Sequence, residues 1–278
     1  FGRYTQLLSD GLPLYGNQAG SIGLLQIPPT DLSRVEIIKG SASSLYGGSA
    51  LGGVINLVSR TPSDELEGEA LVNFTTRNGQ DLTTYIESPI SGNWKGSLTA
   101  GAHHQKTEDI DNDGWIDLAG YERYTARPRL FWEGNEGETL YATAGFMREN
   151  RTGGTLPGRT VADGNPFVNE QDSQRIDSGL VFNKPIFDEL TFNARASAML
   201  QEHEHTFGDM AETDEHESYL LETSVSGYSS KTDWVVGVAY QSDVYQSDTY
   251  PNLDYSYEVP GLFASLDYNL TDEITTTY

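Results

Sequence analysis

Residues 27–60 read IPPTDLSRVEIIKGSASSLYGGSALGGVINLVSR. Pro28 and Pro29 stop whatever precedes them, and Thr30 or Asp31 suits the cap of a short turn. Residues 34–39 alternate as a strand, and residues 41–45 suit a short helical turn. Gly47, Gly48, Gly52 and Gly53 let the backbone bend and pack closely before the β-branched run at 54–58. Upstream, residues 5–14 hold a hydrophobic run and the turn Asp10-Gly11, and a polar, Gly-spaced loop fills 15–23. A small αβ unit therefore closes near residue 60.

From Leu66 onward the period is two. On residues 94–104, Trp94, Leu98, Ala100 and Ala102 oppose Lys95, Ser97, Thr99 and His103. On 124–133, Tyr124, Ala126, Pro128, Leu130 and Trp132 oppose Thr125, Arg127, Arg129, Phe131 and Glu133. The same split recurs at 140–149, 192–201 and 234–240, with aliphatic centres and Trp or Tyr near the ends. That arrangement suits an apolar band between aromatic girdles. About ten strands and the start of an eleventh are expected, many reaching the roughly 9–11 residues that cross a bilayer. Short polar turns at 91–93, 134–137, 187–189, 229–231 and 271–273 alternate with longer connections at 107–120, 150–171, 205–217 and 246–256. A first connection, 77–81, is short but falls on the long-loop side. A β-sandwich also alternates, but its loop lengths need not segregate by parity.

Composition sets limits. The chain has 278 residues, no Cys, 41 acidic against 17 basic residues and a net charge of -24. Such acidity argues against a nucleic-acid partner, which needs clustered Lys and Arg, and suits loops that attract cations. Mean hydropathy is -0.47, and no run reaches the roughly 18–20 apolar residues of a spanning helix. Barrel strands hide from such averages, because outward apolar and inward polar residues alternate. Phe1 is not an initiator Met and the last residues are strand-like, so both ends read as cut.

Arg34, Val35, Glu36, Lys39, Gly40, Ser43, Leu45, Tyr46, Gly47, Ala50, Gly52, Gly53, Val54, Ile55 and Asn56 follow in one fixed order. In this the chain resembles the closing half of the plug domain of TonB-dependent outer-membrane receptors. The resemblance implies a mainly β chain: a small αβ plug at 1–60, a linker at 61–67, and the N-terminal part of a transmembrane β-barrel at 68–278. Family members place a complete plug inside a 22-stranded antiparallel barrel in the outer membrane of Gram-negative bacteria. They import scarce large ligands, ferric siderophores first and cobalamin second, with energy from the TonB complex acting through a segment absent here. No cofactor is required. The competing expectation is a non-transporting or passive barrel of porin or adhesion type.

Arg34, Glu36 and Lys39 would lie in a polar lumen, where they could pair with Arg127, Arg129 or Glu133, or stay solvated. Resemblance in position alone puts Tyr15, Asn17 and Gln18 near the plug apex that meets ligand. Asp109, Asp111, Asp113 and Asp117 follow D-x-D-x-D-G-x-x-D, and with the Trp115 carbonyl could converge on Ca²⁺ about a turn at Gly114. Position 12 is Gly120 where an EF-hand has Glu, so a Ca²⁺ loop without flanking helices competes with a plain polar turn. Glu202, His203, Glu204, His205, Asp209 and His216 could hold a transition metal, but solvated loop chemistry is the better reading. No HExxH, nucleophile elbow or P-loop occurs, and no enzyme is expected.

Overall fold

The computed structural model describes residues 5–14, 29–40, 50, 52–162, 164–271 and 274–277. Tyr15, Asn17, Gln18, Tyr46, Gly47 and the helical turn expected at 41–45 lie outside the described residues.

Two sheets form. The small one comprises β1 (Thr5–Ser9), β2 (Leu32–Ile38) and β3 (Gly53–Ser59), in the order β1-β3-β2. β1 runs parallel to β3, while β2 runs antiparallel to it. A turn through Asp10 (φ 51°) and Gly11 (φ 80°) closes β1, and a 3-10 turn at Pro29–Asp31 leads into β2. At Gly53 (φ +106°) a side chain would strike the Ile38 carbonyl oxygen at 2.8 Å, so only glycine lets β3 start this close to β2.

The large sheet holds eleven strands in sequence order: β4 (Glu67–Phe74), β5 (Gly79–Ser91), β6 (Trp94–Gln105), β7 (Gly120–Glu133), β8 (Thr139–Gly154), β9 (Val168–Phe187), β10 (Leu190–Phe207), β11 (Met210–Tyr228), β12 (Thr232–Ser247), β13 (Tyr255–Thr271) and β14 (Ile274–Thr277). Every neighbour pair is antiparallel. This is one continuous meander rather than the two stacked layers of a sandwich. Strands β8 to β13 run 16 to 20 residues, well beyond the length needed to cross a bilayer.

The burial pattern inverts that of a water-soluble sheet. Thr99, Arg129, Glu149, Arg175 and Asp177 are buried, while Leu130, Leu180, Val236, Val238 and Leu262 are exposed on the opposite face. On β7 the outward Tyr124 and Trp132 lie eight residues apart, about 27 Å along the strand at roughly 3.4 Å per residue. The Trp132 ring meets Trp94 at 6.2 Å, and the two form part of the girdle at the short-turn end. The small sheet packs against the polar face.

One connection departs from expectation. Residues 205–217 are not a long loop: β10 and β11 stay paired up to Phe207↔Met210, and Gly208 (φ 64°) turns the chain. The acidic run suits a solvated loop, but a strand with solvated side chains needs no apolar face to keep its ladder. The connection expected at 150–171 shortens to 155–167 for the same reason, as β8 runs on to Gly154 and β9 starts at Val168.

Candidate functional site

The chemistry of the molecule concentrates where the small sheet meets the polar face of the large one. Odd-numbered residues of β7, β8, β9 and β10 point inward, which sets Arg129 and Gly179 on one cross-strand row and Tyr141 and Arg195 on the next. Four neighbouring strands thus present one surface to the turn at Asp10 and to Asp31.

Arg129 is 3% exposed and its two terminal nitrogens donate to both carboxylate oxygens of Asp31, the Nη1–Oδ1 distance being 2.9 Å. Its Nε also lies 4.0 Å from Asp10 Oδ2. The Tyr141 hydroxyl donates to Asp10 Oδ2 at 2.8 Å, and Arg195 Nη1 donates to the Gly11 carbonyl at 2.8 Å. Arg195 is itself held by two 2.7 Å bonds to Glu222. Just past the turn, Leu12 and Leu14 are fully buried. A Cβ on Gly179 would meet Leu12 Cδ1 at 2.4 Å, so the wall touches the turn backbone to side chain with no space between.

Electrostatics fits this placement. Burial pushes the Asp31 carboxyl above its ordinary 3.8, and the charge and hydrogen bonds of Arg129 oppose that rise. A bidentate arginine–carboxylate pair is directional and strong, yet it contains no covalent bond and can be remade.

The motif residues act one layer further in. Arg34 donates to Glu36 at 2.8 Å, Asn56 Nδ2 donates to Glu36 at 2.9 Å, and Asn56 Oδ1 accepts the Gly11 N–H at 2.8 Å. Asp10 closes the chain by accepting from the Ser59 N–H and hydroxyl. Strand β2 is thereby tied through β3 to the turn that meets the wall. The Asn56 amide first, and then Arg34, hold the Glu36 carboxyl below its ordinary 4.5. Of the inward charges named from sequence, Arg129 takes Asp31 and Arg127 takes Asp177 at 2.7 Å, and among the bonds described neither joins Arg34, Glu36 or Lys39. From sequence Asp10 and Asp31 read only as turn and cap residues, and neither Tyr141 nor Arg195 carries a role; the inward register of Arg129 is the available signal.

The acidic loop between β6 and β7 brings carboxylate oxygens of Asp109, Asp111 and Asp117 within 4.8 Å of one another. Asp113 is outside that group and accepts the Trp115 N–H at 2.7 Å. Asp109 accepts from the N–H groups of Asn112 and Gly114, and Asp117 from that of Ile110. The Trp115 ring rests on Phe167 at 5.4 Å, and Gly114 accepts the Leu156 N–H, pinning the loop to the β8–β9 connection.

The histidines do not gather into one metal-binding group among the described residues. They belong to strands, not to a loop, and each has its own neighbour. His203 Nδ1 lies 2.7 Å from Ser173 Oγ, His205 Nε2 lies 3.1 Å from Asn169 Oδ1, and His216 Nε2 lies 3.0 Å from Asp243 Oδ1.

Comparison with known proteins agrees with this architecture. Residues 1–54 match the family model described as the TonB-dependent Receptor Plug Domain. The ferrioxamine receptor of Yersinia enterocolitica is 30% identical over 148 residues, covering 53% of this chain and 20% of that protein. The vitamin B12 transporter BtuB of Photobacterium profundum is 25% identical over 139 residues, covering 49% and 20%. Among solved structures, the ferric yersiniabactin uptake receptor FyuA from Yersinia pestis superimposes with a TM-score of 0.78 at 19% identity, covering 99% of this chain and 46% of that one. The siderophore receptor PirA from Pseudomonas aeruginosa gives 0.73 at 18%, covering 99% and 47%. The chain thus spans about half the length of the solved structures it matches.

Proposed function

We infer that this chain, which belongs to the TonB-dependent outer-membrane receptors, is the closing part of the plug and about half the barrel of a receptor that imports a ferric siderophore. The observation that carries the reading is the buried seat: barrel-borne Arg129, Tyr141 and Arg195 gripping Asp31, Asp10 and Gly11 of a small sheet set against the polar face. A passive pore has no use for a folded obstruction in its lumen. A movable obstruction needs contacts that are strong in one state and can be exchanged in another.

In this reading residues 1–60 are plug, 61–67 a linker and 68–278 barrel, with the outward apolar band meeting lipid. Ligand binds first to the extracellular loops and the plug apex, where Tyr15, Asn17 and Gln18 are proposed to contact it. Force from the TonB complex, applied through the plug, then makes passage productive. The relatives are named as receptors and transporters, which supports a binding and transport role rather than catalysis. Cobalamin is the second ligand class. Uptake of iron-55 ferrioxamine, iron-55 enterobactin and cobalt-57 cyanocobalamin by cells expressing the full-length receptor tests the reading. One label should accumulate only while the inner membrane is energised, and accumulation unaffected by collapse of that energy would refute it.

The loop at 109–117 is proposed to bind Ca²⁺. Support comes from the three carboxylates already within reach of one ion, although Ca²⁺ takes about six to eight oxygens and the rest must come from Asp113, the Trp115 carbonyl or water. Calorimetry of the refolded full-length receptor should give Ca²⁺ heats that disappear in Asp111→Ala/Asp113→Ala. Equal heats in both would remove the loop from consideration.

A further inference from the structure

Side chains from four neighbouring connections meet at the end of the large sheet away from the short turns. The Trp115 ring lies 5.4 Å from Phe167, Phe167 stands edge-on to Phe207 at 4.8 Å, and His205 lies 6.1 Å from Phe207. Met210 is the register partner of Phe207, and its sulfur accepts from the Tyr250 hydroxyl. The β6–β7, β8–β9, β10–β11 and β12–β13 connections are thus joined by one row of rings and a thioether. Phe207 has the inward parity of Arg195 and stands well beyond it, about 40 Å along β10 at roughly 3.4 Å per residue. The row lies on the lumen side, far from the seat.

Two properties of the row say what it meets. Rings that only brace loops are packed away from water, whereas Trp115 is 42%, Phe207 53% and Met210 48% exposed. The charge around them is of one sign. Residues 107–117 carry five acidic side chains, residues 201–217 seven and residues 242–258 four, with no Lys or Arg in any of the three stretches. Arg159, from the β8–β9 connection, lies against Gly114 of the Asp-rich stretch. Arginines deeper on the inner face are met by carboxylates: Arg123 and Arg151 by Glu149, Arg127 by Asp177 and Arg195 by Glu222. An aromatic ring is negative at the centre of its face, so the rings and the carboxylates here attract the same thing, a cation. A strongly anionic molecule would approach against the field.

We propose that this row recognises the charge of the imported ligand, and that the ligand is a metal chelate bearing a protonated amine, its ammonium group resting on Trp115 and Phe207 inside the acidic rim. The proposal rests on the receptor reading above and narrows it to one charge class. The apolar faces and the Met210 thioether take the body of the chelate, while rings and carboxylates together take its positive end. A neutral chelate keeps only the first of these contacts. A trianionic one meets the field of the rim and is turned away.

The test is a matched pair of iron-55 chelates offered to the full-length receptor in the cold without energy: linear ferrioxamine with its terminal amine free, and the same chelate acetylated at that amine. Ferric enterobactin is the anionic probe. The free amine should bind at least about tenfold more tightly than the acetylated form, by a margin that shrinks as salt is raised, and enterobactin should not compete. In Trp115→Leu/Phe207→Leu the preference should fall to about twofold or less, while the acetylated chelate still binds within about threefold of its parental strength, which a collapsed set of loops would not permit. Equal binding of the pair by the parent, a preference untouched in the double variant, competition by enterobactin, or binding of neither ferrioxamine would overturn the charge assignment. The receptor reading survives any of these results if one of the three labels is imported, and fails together with the assignment if none is.

Discussion

Arg129→Leu in the full-length receptor is the sharpest perturbation of the seat. It removes the only charged partner that the Asp31 side chain has among the bonds described, and leaves a carboxylate that is 4% exposed facing Asp10. Both partners are almost wholly buried, so little solvent screening softens the loss. Breaking a buried pair from one side costs about 3–5 kcal/mol, chiefly the desolvation of the stranded charge. At about 1.4 kcal/mol per factor of ten, the unseated plug should become a hundred-fold or more easier to reach. Replacing both residues, Arg129→Leu/Asp31→Leu, removes the stranded charge and should recover most of that loss. The assay is maleimide labelling of Leu14→Cys, a fully buried position beside the seat, in outer-membrane vesicles over a urea series. The single variant should label at least about a hundred times faster than the Leu14→Cys parent at low urea, and the double variant within about tenfold of it. Equal labelling of parent and single variant, or a double variant as fast as the single, would show that Arg129 does not hold the plug.

Three further outcomes follow from the same geometry. Gly179→Val places a branched side chain where a Cβ alone comes within 2.4 Å of Leu12, and should lower the urea midpoint of plug release by an overpacking cost of about 1–3 kcal/mol. Leu180→Arg, on the outward face of the next residue, should leave the plug alone but cost the assembled barrel about 2–4 kcal/mol if that position lies near the bilayer midplane, read as lower yield of heat-modifiable folded protein. Glu36 titrates below its ordinary 4.5 in the folded plug, so its tie to Asn56 and Arg34 contributes above that value and is lost as pH falls through the lower folded one. Hydrogen exchange of the β2 amides should therefore accelerate on acidification below about pH 4.5, and Glu36→Gln should abolish that step.

Much of this architecture is legible in the sequence because β-structure repeats every two residues. The alternation of Arg129 with Leu130, or of Gly179 with Leu180, already separates a polar interior from an apolar exterior before any pairing is known. The short glycine-rich unit before it is legible for another reason, since its glycines, charges and β-branched residues follow one another in a fixed order from Arg34 to Asn56. What escaped was non-local or ambiguous. Asp31 meets Arg129 across 98 residues and Asp10 meets Tyr141 across 131, and neither carboxylate differs in local context from a turn cap. The acidic tips of β10 and β11 look like a loop in sequence, because polarity on both faces removes the alternation while leaving the backbone ladder intact.

The central claim is that a folded plug sits in the lumen and is held there by the wall. Single-channel conductance of the full-length receptor in a planar bilayer tests it most directly. The parent should be almost closed, and removal of the plug through Arg60 should give large, steady openings through the same barrel. A parent that conducts as freely as its plug-deleted form would contradict the account.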